Sequence, residues 1–185
     1  MTVPVVATRR LTLRPIEEGD AEGLHGAYGD VEAMRFWDSP VSRDILETAA
    51  RIRQSLAVEL RWHGMWAIEA HPGGFAGMIN YHNVDPHNRR LGLGWILAPS
   101  FRRRGLMTEA AQLVLAHCFF TMEMHRIEVL IEPDNVASRG LATKLGFRQE
   151  SDLLRDRLRV GDQYRGVLMY GLLQADWESM APRRD

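Results

Sequence analysis

Trp95-Ile-Leu-Ala-Pro-Ser-Phe-Arg-Arg-Arg-Gly-Leu-Met-Thr-Glu-Ala-Ala111 joins three local patterns. An apolar run, Leu93–Leu97, is cut off by Pro99-Ser100. Three arginines and Gly105 follow, and a helical pattern begins at Leu106. A strand, a tight turn and a helix whose first amides point back at the turn are implied. Those amides lack partners inside the helix and carry the positive end of its dipole. Gly105 lets the backbone approach a ligand closely. A pyrophosphate suits such a nest, and a plain helix start with a solvated basic turn is the alternative. With one glycine the stretch is not the dinucleotide fingerprint, and it holds no phosphate-loop lysine.

On the N-terminal side, residues 8–16 alternate apolar and polar and read as a half-buried strand ended by Pro15. A short helix over about 20–29 follows, then an irregular stretch 31–41 holding Phe36, Trp37 and Pro40. Ser42 is expected to cap a helix over about 43–62, with Ile45, Ile52, Leu56 and Leu60 on its apolar face. Met65–Glu69, Phe75–Val84 and Leu91–Leu97 form an antiparallel meander. On the C-terminal side, the helix opened by Gly105 runs to about Phe120, and Arg126–Glu132 is a strand. Asn135–Leu145 is a helix closed by Gly146, and a hairpin pairs Phe147–Leu158 with Gln163–Leu173. From about Ala175 the chain is polar and is expected to fray. The order β-α-α-β-β-β-α-β-α-β-β is a mixed α/β fold on one central, mostly antiparallel sheet flanked by helices. With 185 residues it reads as one domain, core about 7–177 and tail about 178–185.

A formal net charge of −1 gives no electrostatic case for nucleic acid or a membrane surface. Arginine supplies nearly all the positive charge, Lys144 being the only lysine. The single cysteine, Cys118, excludes an internal disulfide and is expected to be a buried structural thiol. Arg9 and Arg10 interrupt any N-terminal apolar run, and no segment is long enough to span a bilayer, so a cytoplasmic protein is expected. The histidines show no metal spacing, and no metal is expected.

A second motif lies in His125-Arg-Ile-Glu-Val-Leu-Ile-Glu-Pro-Asp-Asn-Val-Ala-Ser-Arg-Gly-Leu-Ala-Thr-Lys-Leu-Gly-Phe147. Together with Arg102-x-x-Gly105 it resembles the GNAT superfamily of acyl-CoA-dependent N-acetyltransferases. The first motif matches that family's pyrophosphate turn; Asn135-x-x-Ser138 and Lys144-Leu-Gly-Phe147 match its second. More closely, the chain is similar to the RimJ/RimL type, the ribosomal-protein alanine N-acetyltransferases. Thr8-Arg-Arg-Leu-Thr-Leu-Arg-Pro15, Arg104-Gly-Leu-Met-Thr-Glu-Ala110 and Leu172-x-x-Ala-Asp-Trp177 carry that likeness across residues 7–177. Met107 and Arg103 depart from the generic turn. Ala142 stands where many members carry a tyrosine acid, and Gly92 where a glutamate base often stands.

The resemblance implies acetyl-CoA as co-substrate. Amides of about Arg103–Thr108 (Arg103, Arg104, Gly105, Leu106, Met107, Thr108) would hold its pyrophosphate. The backbone of Ile96 and Leu97 would pair with the pantetheine arm, and Arg102, Arg104, Arg139 and Lys144 are candidates for its phosphates. Asn135 would bind the pantetheine or order a water, and Ser138 would protonate the leaving thiolate; plain helix capping is the other reading of this pair. His82 could pass the amine's proton through water, with Glu69 and Glu132 as weaker candidates. Phe36, Trp37 and Tyr164 would flank the acceptor. An α-amine with pKa about 7.7–8.0 is roughly a tenth neutral at pH 7, whereas a lysine at about 10.4 is almost wholly charged. The difference, about 3 kcal/mol, favours an N-terminal α-amine for a site without a placed carboxylate base. A small-molecule amine is the alternative acceptor, a non-catalytic acyl-CoA-binding module the alternative function, and a homodimer is compatible with either.

Overall fold

The computed structural model describes residues 3–180. Nine strands pair in the order β1-β2-β3-β4-β5-β6-β9-β7, with β8 added to the far part of β9. The strands are β1 (Val6–Ala7), β2 (Leu11–Pro15), β3 (Gly64–Ala70), β4 (Gly74–Asp85) and β5 (Arg90–Leu97), then β6 (Arg126–Ile131), β7 (Arg148–Gln149), β8 (Leu154–Val160) and β9 (Gln163–Leu173). Every pairing is antiparallel except β5 with β6, which is parallel and only three rungs long. The expected mixed α/β sheet is present.

Period-two alternation sorts the side chains to two faces. Leu11, Leu13, Trp66, Ile68, Ile79, Tyr81, Leu91, Leu93, Ile127 and Val129 form one core. It is covered by α4 (Leu106–Ala116), whose Ala110, Ala111 and Val114 are buried against it, and by α5 (Val136–Lys144) through Ala142. Met65, Ala67, Met78 and Ile96 face the other way, under α1 (Ala21–Tyr28) and α3 (Ile45–Leu56). Cys118 is buried in the first core as expected, and burial pushes its thiol pKa up.

Several expected boundaries are corrected. The stretch 31–41 is not wholly irregular: Asp30 caps a one-turn helix, α2 (Val31–Met34), accepting from the amide of Ala33. Asp44, not Ser42, caps α3, its carboxylate accepting from the amide of Glu47 at 2.8 Å, while Ser42 is buried. That helix ends at Leu56 rather than near 62. The Tyr81 hydroxyl donates to the Leu60 carbonyl, and the chain must turn into Gly64, where a Cβ would strike the Tyr81 ring. The helix opened by Gly105 leaves α geometry at Ala116 and continues as a wider turn, His117–Thr121, that buries both Cys118 and Phe119. The strand expected over 147–158 is broken into β7 and β8, because the Ser151 hydroxyl accepts the amide of Met169 in place of a ladder partner. The chain from Ala175 does not fray at once. It continues as α6 (Gln174–Met180), with Trp177 packed on Phe119 and Phe120 at centroid distances of 5.5 and 5.7 Å. The rest of the expected tail, 181–185, lies outside the described residues. No helix among the described residues is long and apolar enough to cross a membrane.

Candidate active site

The short β5–β6 ladder makes the site. Its last rung is Gly92 with Glu128, whereas β5 continues to Leu97 paired only with β4. Beyond that rung the strands diverge, and a large cavity opens between Leu93–Leu97 and Val129–Glu132. Among the described residues the β5 edge there has no strand partner, so an extended chain can be added to it. Ile96 and Leu97 stand on this edge, as the sequence implied, although the Leu97 carbonyl already accepts from Arg102 Nε at 3.3 Å.

At the end of β5 the backbone curls into the expected turn. Arg103 and Gly105 both adopt left-handed conformations, with φ of 60° and 76°, and Gly105 is the residue preceding α4. Left-handed residues at such a turn draw successive amides into a concavity, and here it lies at the positive end of a helix. Arg102, Arg103, Gly105, Leu106, Met107 and Thr108 all line the cavity. From outside, Arg10 holds the turn, donating to the Arg104 carbonyl and reaching Glu109 at 3.5 Å. Arg104 itself stacks on Phe101, 5.5 Å from the ring centroid, and lines a separate depression with Arg10 and His71. Its expected phosphate role is therefore not supported by its position.

On the opposite wall Asn135 caps α5, its Oδ1 accepting from the amide of Ser138 at 3.1 Å. The capping reading of Asn135 thus holds, and both residues also line the cavity. The Ser138 hydroxyl accepts from the indole Nε1 of Trp95 at 3.3 Å, which ties α5 to β5 across the cleft. Arg139 is turned away, donating to the Tyr170 hydroxyl at 3.1 Å and the Pro133 carbonyl at 3.0 Å. Lys144 is exposed at the far end of α5 and outside the cavity wall. The geometry does not support the phosphate contacts expected of these two.

The other side of the cavity is built on β4. Met78, Asn80 and His82 share the face under α1 and α3, opposite Ile96, Gly94 and Gly92 of β5. The two glycines matter because a Cβ on Gly92 would lie 2.7 Å from His82 Nε2, and one on Gly94 would lie 2.6 Å from Asn80 Oδ1. Burial depresses the pKa of His82 below 6.5, against a smaller opposing pull from Asp38, so the ring is neutral near pH 7. His63, absent from the sequence reading, joins this group through a 3.2 Å contact with Asn80 Nδ2, and burial lowers its pKa also. It comes from the loop before β3, and no local pattern announces that pairing. Phe36 and Trp37 line the same side, as expected; Tyr164 is 61% exposed on the final hairpin and outside the wall. Among the weaker candidates, Glu69 is bound to Arg14 and Glu132 to Arg165. Among the described residues no three His, Cys, Asp or Glu side chains are grouped to hold a metal ion.

Residues 10–148 match the model of the acetyltransferase (GNAT) domain. This chain belongs to the GNAT acetyltransferase family. YdaF of Bacillus subtilis (strain 168), provisionally named a ribosomal N-acetyltransferase, is 30% identical over 91% of this chain and 93% of its own. Spermidine N(1)-acetyltransferase of Escherichia coli (strain K12) is 22% identical over 88% of this chain and 85% of its own. The crystal structure of RimL, a ribosomal L7/L12 α-N-protein acetyltransferase in complex with coenzyme A, superposes with a TM-score of 0.80 at 22% identity, covering 92% and 98%. The likeness read from the two motifs is borne out, and the chain is a GNAT N-acetyltransferase. Within that family its departures acquire a physical setting. The His82 ring fills the space a side chain at Gly92 would need, and Ala142 is fully buried on the inner face of α5, one helical turn on from Ser138.

Proposed function

We propose that this GNAT enzyme transfers the acetyl group of acetyl-CoA to a primary amine, with the α-amine of a protein or peptide N-terminus as the preferred acceptor. The observation that carries the reading is the unzipped segment of β5. It offers a free strand edge that leads into the turn at Arg103 and Gly105, with Ser138 and His82 among the cavity's lining groups. The backbone of Ile96 and Leu97 would hold the pantetheine arm, and the amides from Arg103 to Thr108, flanked by Arg102, would hold the pyrophosphate.

The chemistry is aminolysis of a thioester. The amine nitrogen attacks the thioester carbonyl, the C–S bond breaks, the thiolate takes a proton from Ser138, and the amine's proton passes through water to His82; water then returns that proton from His82 to the Ser138 oxygen, restoring both residues. Both residues suit these tasks. The Trp95 indole occupies an acceptor site on the Ser138 oxygen, so the hydroxyl hydrogen is free to point into the cleft. Burial keeps His82 unprotonated at neutral pH, ready to accept. A neutral imidazole with a depressed pKa is a weak base, which favours an acceptor already partly deprotonated at pH 7. The spermidine acetyltransferase relative supports a second reading, a polyamine as acceptor.

Release of the CoA thiol with three acceptors tests the assignment: an alanine-initiated peptide, spermidine, and an N-blocked peptide with one internal lysine. The proposal expects the highest kcat/KM for the free N-terminal peptide. A preference for spermidine moves the acceptor to small amines, and no thiol release with any of the three overturns the amine-acetylation reading.

A further inference from the structure

Thr8 and Arg10 lie in the turn between β1 and β2, far in sequence from the cavity, and both reach the start of α4. The Thr8 hydroxyl accepts from the amides of Arg10 and Leu11, each at 3.1 Å, and donates to Glu109 Oε1 at 2.5 Å. Glu109 lies in the first turn of α4, and its other carboxylate oxygen meets the Arg10 guanidinium at 3.5 Å. That carboxylate steers the Arg10 side chain, whose Nη2 donates to the Arg104 carbonyl. The stretches Thr8–Pro15 and Arg104–Ala110, distant in the chain, thus meet through Thr8, Arg10, Arg104 and Glu109.

A trans peptide is planar, with its carbonyl and its N–H on opposite sides. The peptide joining Arg104 to Gly105 turns its carbonyl to Arg10, beside an outer depression that Arg10, His71 and Arg104 line. Its N–H, that of Gly105, is therefore directed away from Arg10, and Gly105 lines the main cavity while Arg10 does not. Sterics alone do not hold this orientation. Turning the plane over would carry Gly105 from φ 76° into the negative-φ region, which glycine populates about as readily. It would also present a carbonyl oxygen in place of the amide, and a carbonyl oxygen repels an anion. The charge-assisted hydrogen bond from Arg10 opposes that change.

We propose that Arg10 is a positioning residue for acetyl-CoA. By holding the Arg104 carbonyl outward it keeps the Gly105 amide available to the pyrophosphate, and Thr8 and Glu109 orient Arg10 for this task. The inference rests on the acetyl-CoA reading of the turn, and it adds the residue that sets the turn before the ligand arrives. Arg10 stands outside the main cavity wall, so it acts on affinity for the co-substrate and leaves the chemical step alone.

Arg10→Met keeps an aliphatic stem and removes the donors. Calorimetric titration with CoA should show affinity lowered about tenfold, as for loss of one charge-assisted hydrogen bond. With the alanine-initiated peptide, the KM for acetyl-CoA should rise about tenfold while kcat and the peptide KM stay within about twofold. Acetyl-pantetheine carries the thioester without the pyrophosphate and separates positioning from general damage to the fold. Its kcat/KM should agree between wild type and Arg10→Met within about twofold. Arg10→Lys keeps the charge without the fork and should recover only part of the CoA affinity. Unchanged CoA affinity in Arg10→Met, an equal loss with acetyl-pantetheine, or full recovery in Arg10→Lys each overturns the positioning role while leaving the transferase intact. Failure of the wild-type protein to bind CoA overturns both readings.

Discussion

Ser138 owes its orientation to an indole. Because Trp95 Nε1 donates to Oγ, the serine's own hydrogen is left for a partner in the cleft, which in the proposed reaction is the leaving thiolate. Ser138→Ala should lower kcat by about a hundredfold, the lower range for loss of a positioned acid, with the KM for acetyl-CoA little changed. Steady-state kinetics with the alanine-initiated peptide checks this, and an unaltered kcat removes Ser138 from the reaction. Ser138 and Asn135 were legible in the sequence because their spacing places both at one helix start. His63, Asn80 and Asp38 were not, since they line one cavity with His82 only once β3, β4 and the 35–39 loop are packed together. Arg139 and Lys144 looked like phosphate ligands on charge alone. Nothing in the linear pattern showed that Tyr170 and Pro133 would claim the guanidinium of Arg139.

Among the elements, the turn into α4 carries the greatest conformational demand. A non-glycine residue at φ 76° is held in the left-handed region at a cost of about 1–2 kcal/mol. Arg103, at φ 60°, already sits there. Gly105→Ala should therefore weaken CoA binding by about tenfold through the left-handed φ alone, because the new Cβ meets nothing closer than Arg10 at 3.9 Å. Gly105→Glu adds charge repulsion and should abolish the CoA-induced rise in melting temperature, whereas an unchanged rise would place the pyrophosphate elsewhere. This element was readable because Pro99, Gly105 and the helical run from Leu106 mark its boundaries by residue type. Caps chosen between two good candidates were not: Ser42 and Asp44 both suit a helix start, and only the fold selects Asp44. The polar look of α6 hid what Trp177 does: its packing on Phe119 and Phe120 holds the helix to the core.

At the scale of the molecule, burial of neutral histidines links stability to pH. His63, His82 and His117 all have pKa values lowered below 6.5, burial being the largest cause in each. The unfolded chain therefore takes up protons before the folded one does. Their contribution to stability is intact above about pH 6.5 and is lost as the pH falls through that value toward the folded-state pKa values. The melting temperature should fall by a few degrees between about pH 7 and pH 5.5, given about 2–4 °C per kcal/mol for a chain of this size. Scanning calorimetry at fixed ionic strength checks it; a melting temperature that is flat or rises on acidification refutes the linkage. The strand order was broadly legible from alternation and turn residues. The three-rung limit of the β5–β6 ladder was not, because alternation gives the faces of a strand and not the length over which a parallel neighbour stays beside it.

Gly92 and His82 occupy one volume between them, the imidazole standing where a Cβ on the neighbouring strand would go. Identity at either position thus constrains the other. A lineage that acquired a side chain at 92 would have to swing the ring at 82 out of that space or replace it, and an engineer placing a carboxylate there meets the same constraint. The two positions compete for one space on this sheet, so a change at one is felt at the other.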